Sequence, residues 1–279
     1  MRNSNISWTE DTFNPWIGCR HVTPECDHCY AETMVVNRMG KDFGKPWRSQ
    51  TWDDPVKFNE DARPNGYWFR PKGKKEKVFV ELGRRPRLFC ASLTDFFLPE
   101  ADAWRPEAWE LIRQCSNIDW LILTKRTKLA ATRLPSDWGT GWPHVWMGTT
   151  CGVRKSYYRV DELRALPAAV RFISAEPLLE SLSDLNLDSI NWLIAGGESG
   201  VSKADGGPRK MEDVWAVELR DKCRAAGVGF FFKQHSGFRP GTDPLLQGVE
   251  YNESPLVQIK AAGTPEPGDE EGIDLPISP

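Results

Sequence analysis

The chain has no apolar run approaching the ~20 residues that a membrane span needs, and its mean hydropathy is −0.50. No membrane segment is therefore expected. The opening stretch "MRNSNISWTED" lacks the apolar core of a secretory signal. A cytoplasmic protein is expected, in a bacterium or a phage-infected host cell. The seven cysteines are an odd number. A reducing cytoplasm disfavours disulfides, so clustered thiols there point to a metal or to catalysis. No internal repeat is visible. A large charge is also missing: the net value of −3 does not suggest bulk affinity for nucleic acid.

What is present starts with size. The 279 residues, 40% of them hydrophobic, can bury one large core, and a single α/β barrel-like domain commonly has this length. Most of the thirteen Trp residues should form core or pocket walls, because aromatic rings bury large areas. Charge is uneven along the chain. Residues 262–279 carry five acids (Glu266, Asp269, Glu270, Glu271, Asp274) and no base. Residues 70–87 carry eight bases (Arg70, Lys72, Lys74, Lys75, Lys77, Arg84, Arg85, Arg87) against Glu76 and Glu81, directly after the aromatic "YWF" at 67–69.

From residue 87 onward, short apolar runs alternate with amphipathic ones. Strands are expected at 87–92, 118–125, 144–150, 170–177, 190–199 and 228–234, with a short first strand near 14–19. Helices are expected at 103–115 (capped by Asp102), 128–133, 153–166 and 211–226, the last ended by Gly227. The strand runs are almost continuously apolar, which suits parallel strands covered on both faces. The fold class expected is α/β, a parallel partial (β/α) barrel of about six to seven strands over residues 1–237. Residues 40–86 read as an insertion, and residues 238–279 as a loose, partly disordered acidic tail rich in Pro and Gly. The strands end in "SLTD", "LTKR", "GTTC", "SAEP", "GGESG" and "FKQH". In parallel barrels sites are built at this edge.

One loop stands out, "GCRHVTPECDHCYAE" at 18–32. Cys19, Cys26 and Cys29 are spaced C-x6-C-x2-C, with His21 and His28 beside them. A structural zinc site takes four ligands, and either histidine could be the fourth. Three thiolates without a fourth also suit a cubic iron–sulfur cluster with one iron left open. Cys115 and Cys223 fall among apolar helix residues and read as core thiols, and Cys151 as a half-buried small residue.

The pieces "WTEDTFNPWIGC", "CDHCYAE", "SLTDFF", "LTKR", "VRFISAEPLLE", "WLIAGGESG" and "AGVGFFFKQ" resemble the phage Gp37/Gp68-like family (DUF5131), from about residue 7 to 234. The family's three-cysteine motif is similar to that of radical S-adenosylmethionine (SAM) enzymes. Their usual spacing is C-x3-C-x2-C, so the first gap is longer here. His235 stands where the family has an aromatic, and Leu98 where relatives often have His. The resemblance implies a 4Fe-4S cluster on the three cysteines and SAM as cofactor. It also implies an electron donor such as a flavodoxin or ferredoxin, reductive cleavage of SAM to act on a substrate, and a partner protein encoded nearby.

SAM offers an ammonium, a carboxylate, a ribose diol and an adenine. Under the resemblance, Gly196, Gly197, Glu198 and Ser199 form its main binding turn. The glycines allow close approach, and Glu198 accepts from the ammonium. Ser92, Asp95 and Glu176 would bind ribose or ammonium, and Lys125 and Lys233 the carboxylate or an anionic substrate. Tyr30 would pack beside the cluster or the adenine, and Asn14 and Pro15 would shape the loop. Helix caps, turns and solvated lysines are the plain readings of these residues. A different class is a non-catalytic nucleic-acid-binding protein with a zinc-stabilised cysteine loop, using the basic, aromatic segment 67–87. The two readings combine in an enzyme that modifies a nucleic acid or nucleotide.

Overall fold

Seven strands run parallel in one sheet, in the order in which the chain makes them. They are β1 (Asp11–Phe13), β2 (Arg87–Cys90), β3 (Asp119–Thr124), β4 (Val145–Thr150), β5 (Val170–Ala175), β6 (Trp192–Gly196) and β7 (Gly229–Gln234). The computed structural model describes residue 4, residues 6–201 and residues 206–255. Helices α1 (Tyr30–Met39), α2 (Asp54–Asp61), α3 (Arg105–Gln114), α4 (Thr127–Ala130), α5 (Tyr157–Ala165) and α6 (Asp213–Ala226) lie between strands. Gly227 ends α6 at φ +67°, the left-handed stop that glycine makes easily.

The strands are apolar on both faces because each face meets a core. On β3, Trp120 and Ile122 join the layer shared with Trp109 and Ile112 of α3 and Leu163 of α5. Leu121 points the other way, into a concave core with Phe89, Trp146, Phe172, Trp192 and Phe231. Trp8 shows how far the sheet curls. Its ring lies 4.7 Å from Phe89 on β2 and 6.3 Å from Trp192 on β6. A flat sheet would hold those strands about 19 Å apart. The result is the expected partial barrel, a half-barrel left open between β1 and β7.

Some boundaries differ from the sequence expectation. The first strand is Asp11–Phe13, not 14–19. Trp16–Ile17 instead pairs antiparallel with Trp47–Arg48 in the insertion, and Trp16 is buried there. Asp102 does not cap α3; its carboxylate binds Arg105 and Arg133. The insertion holds α2 and a three-stranded antiparallel sheet of Ala62–Arg63, Gly66–Phe69 and Val78–Glu81.

Part of the stretch expected to be loose is ordered. Leu245–Leu246 and Val249–Glu250 form a hairpin with Leu246 fully buried. The chain then lies along β7, where Phe232 N–H donates to the Tyr251 carbonyl at 2.8 Å. The five acids at 266–274 lie outside the described residues. No helix among the described residues is long and apolar enough to cross a membrane.

Candidate functional site

Chain order brings the cysteine loop to the C-terminal edge of the sheet, directly after β1. Asn14 ties that edge together. Its Nδ2 donates to Ser92 Oγ at 3.0 Å, and its Oδ1 accepts from Leu93 N–H at 2.7 Å. Gly18 sits at φ +102°, where an added Cβ would lie 2.9 Å from the Phe43 carbonyl oxygen, so only glycine fits. The next residue, Cys19, donates its N–H to that same carbonyl at 2.9 Å. Cys29 then precedes the first turn of α1.

The three cysteines line one cavity of about 110 Å³. Phe89 and Leu123 of the concave side form its apolar floor, while Ser92, Asp95 and Lys125 stand along its wall. Tyr30 also lines it and donates its hydroxyl to the Ser92 carbonyl. No described residue pairs with the Lys125 ammonium. The other four cysteines are buried away from the cavity; Cys115 and Cys223 are the core thiols expected, and Cys151 is fully enclosed rather than half-buried.

Two charged clamps hold the loop over the cavity, and the sequence did not disclose either. On one side Arg126 Nη1 lies 3.5 Å from Cys19 Sγ, and its Nη2 donates to the Arg20 carbonyl at 2.8 Å. Asp95 fixes this guanidinium at 3.1 Å. The same carboxylate accepts from Thr124 Oγ1 at 2.7 Å, Lys125 N–H at 2.9 Å and Phe97 N–H at 2.9 Å. With its lone pairs so used, Asp95 acts as an anchor for Arg126.

On the other side Glu198 receives Arg209 through Nη2 at 2.5 Å and N–H at 2.8 Å, and meets His28 Nδ1 at 2.8 Å. Arg209 Nη1 also donates to the Pro24 carbonyl at 3.1 Å. Burial alone would raise the Glu198 pKa, but the bonds from Arg209 and His28 outweigh it and hold the carboxyl below its usual range. Between the clamps, Glu25 plunges into the protein. Its Oε1 accepts from Ser156 Oγ at 2.5 Å and lies 3.4 Å from Arg159 Nη1. Both charged side chains are 0% exposed. Arg159 is held in turn by the Thr150 carbonyl at 3.0 Å.

The sequence-predicted residues thus fall into two groups at one edge of the sheet. Cys19, Cys26, Cys29, Tyr30, Ser92, Asp95 and Lys125 line the cavity. Glu176, Gly196, Gly197, Glu198, Ser199 and Lys233 are not on its lining. Glu176 pairs with Lys233 at 2.8 Å, and a Cβ at Gly196 would come within 3.1 Å of that carboxylate. At Gly197 the close neighbour is protein, since an added Cβ would lie 2.3 Å from Ser236 N. Ser199 bridges to Gly237. His235 pairs with Asp213 at 3.1 Å, and Leu98 is fully buried.

Among the described residues, no group of three or more His, Cys, Asp and Glu is gathered tightly enough to hold a single metal ion. His28 turns to Glu198, and His21 Nε2 meets Glu32 at 2.6 Å. A zinc ion needs its ligands to converge. In a cubic cluster each thiolate holds a different iron, so its cysteines must border a common cavity. These three border one cavity. Burial, then Asp95, pushes the Cys19 thiol up to about 11 against the opposing pull of Arg126. Burial likewise raises Cys29. Binding a metal here would release those protons.

No curated protein and no solved structure matches the chain. Residues 3–264 match the model of the family described as Protein of unknown function (DUF5131), and the chain therefore belongs to that family.

Proposed function

We propose that this protein is an iron–sulfur enzyme that reductively cleaves SAM to modify a substrate, with Cys19, Cys26 and Cys29 as the cluster ligands. The observation that carries the reading is the convergence of three thiols from one eleven-residue loop on a single cavity, at the functional edge of a parallel half-barrel. When bound, such a cluster, reduced by a donor such as a flavodoxin or ferredoxin, supplies the electron that breaks a C–S bond of SAM.

The chain's own residues supply the rest. Lys125, whose ammonium no described residue pairs with, lines the cavity and would meet a carboxylate of the bound cofactor. Phe89 and Leu123 keep the floor dry, which strengthens charge contacts above it. Ser92 and the Tyr30 hydroxyl provide polar edges. Glu198 serves as a strut: it holds His28 and Arg209, and through them the Cys26–Cys29 arm. Glu198→Gln is therefore expected to lower iron content several-fold; full iron content with weakened SAM binding would return Glu198 to the ligand.

Anaerobic reconstitution followed by reduction with dithionite tests the function. Release of 5′-deoxyadenosine or another SAM fragment is expected. A fully loaded protein that neither binds SAM nor releases any fragment of it overturns the reading.

A further inference from the structure

The fold divides the eight bases of residues 70–87. Arg87 is buried, its guanidinium 4.8 Å from the rings of both Trp146 and Trp192. Arg84 grips Glu10 through two bonds, at 2.8 and 3.0 Å. Arg85 meets Asp119 at 2.7 Å, and Lys77 pairs with Asp61. These four hold the fold together. Arg70, Lys72, Lys74 and Lys75 remain, all exposed on the loop that joins Gly66–Phe69 to Val78–Glu81. No described residue pairs with any of them.

A free basic loop could be merely solvated, but a second feature accompanies this one. Tyr67 turns inward onto Phe58 of α2, with ring centroids 5.6 Å apart. Trp68, on the opposite face of the strand, points away from that packing and is 39% exposed. It lies across from Phe79 in the ladder, ring to ring at 5.3 Å. Two aromatic rings therefore share the outer face of the hairpin, two residues from the first free base. Exposed Trp beside unpaired cations matches the chemistry of single-stranded nucleic acid, whose bases stack on rings while its phosphates take the charges. An acidic peptide would need the cations but not the flat rings.

We infer that this hairpin is a binding surface for single-stranded nucleic acid, with Trp68 and Phe79 as the stacking platform and Arg70, Lys72, Lys74 and Lys75 as the phosphate contacts. The surface is independent of any cluster. The test is fluorescence anisotropy of a dye-labelled, mixed-sequence single-stranded oligonucleotide with the full chain. Four neutralised phosphates give a slope of about −3 in the plot of log affinity against log salt.

Changing the four bases together to Gln should flatten that slope and weaken binding more than tenfold. Trp68→Leu should weaken it about tenfold, and Trp68→Phe should restore most of the loss. Circular dichroism of each variant checks the fold. The inference is overturned if the four-Gln variant binds like the wild type, or if a folded Trp68→Leu does. It is equally overturned if polyglutamate displaces the oligonucleotide at equal charge, or if anionic phospholipid vesicles bind better than the oligonucleotide.

Discussion

Replacing Cys19, Cys26 and Cys29 together by Ala is expected to abolish iron and sulfide content in anaerobically purified protein and to leave it colourless. The fold should survive, because the thiols border a cavity and only their outer sides pack, Cys19 and Cys29 on the small cluster of Ala31, Val35, Phe43 and Leu93. Removing a sulfur from a cavity wall gives up few contacts compared with a buried aliphatic deletion. Single variants should fare nearly as badly, since in the proposed cluster each thiolate would hold its own iron and two could not close the third corner. Iron and sulfide assays with far-ultraviolet circular dichroism read both halves. Full iron and sulfide in the folded triple variant would end the cluster reading. A colourless wild type holding stoichiometric zinc would favour the zinc-loop alternative.

The largest stability effect is expected at Arg159. Its guanidinium and the Glu25 carboxylate are both fully enclosed. Breaking such a pair from one side strands a buried charge, which costs about 3–5 kcal/mol. Arg159→Met should therefore shift the urea midpoint strongly downward. The double change with Glu25→Gln should recover part of the loss, because no charge is then left without a partner. Burial opposes ionisation of Glu25, but the bond from Ser156, helped by the Arg159 charge, holds its carboxyl below the usual range. For a lowered carboxyl the stabilisation is complete above the unfolded value, about 4.3, and is lost as pH falls through the folded one. The deficit of Arg159→Met should accordingly narrow in acid. A deficit under about 1 kcal/mol at neutral pH would show that the pair contributes little.

The parallel half-barrel was legible because its cause is local. "DWLILT" and "VWMGTT" each carry four consecutive residues without a polar side chain, Trp120 to Leu123 and Val145 to Gly148, a pattern that suits a strand buried on both faces. The convergence of strand ends on one edge followed from that. The first strand was misplaced because Trp16 and Ile17 look like a strand of the main sheet. They are one in pattern but pair with the insertion, and a two-residue ladder gives no clue to its partner. Arg87 reads as one more surface base, yet it is sealed between two Trp rings from distant strands.

The clamps and the buried pair between them were hidden for the same reason. Glu25 and Arg159 lie 134 residues apart, and Arg126 and Cys19 lie 107 apart. Nothing near either residue distinguishes a clamp from a solvated charge. The long C-x6-C gap was the one available hint. Its extra length carries Glu25 down to Arg159 before the chain returns to Cys26.

Arg87 also bears on the order of synthesis. Its N–H donates to the Glu10 carboxylate at 2.6 Å, and its Nη2 donates to Ser254 Oγ at 2.7 Å. Residues 251–254 bring Glu253 to accept Trp192 Nε1 at 2.8 Å. A chain emerging from the ribosome can build all seven strands in sequence, each beside the one just made. It cannot complete the contacts of Arg87 and Trp192 until residue 254 is free of the exit tunnel. The seven strands can thus be laid down one after another, while the contacts of Arg87 and Trp192 with residues 253 and 254 can close only after them.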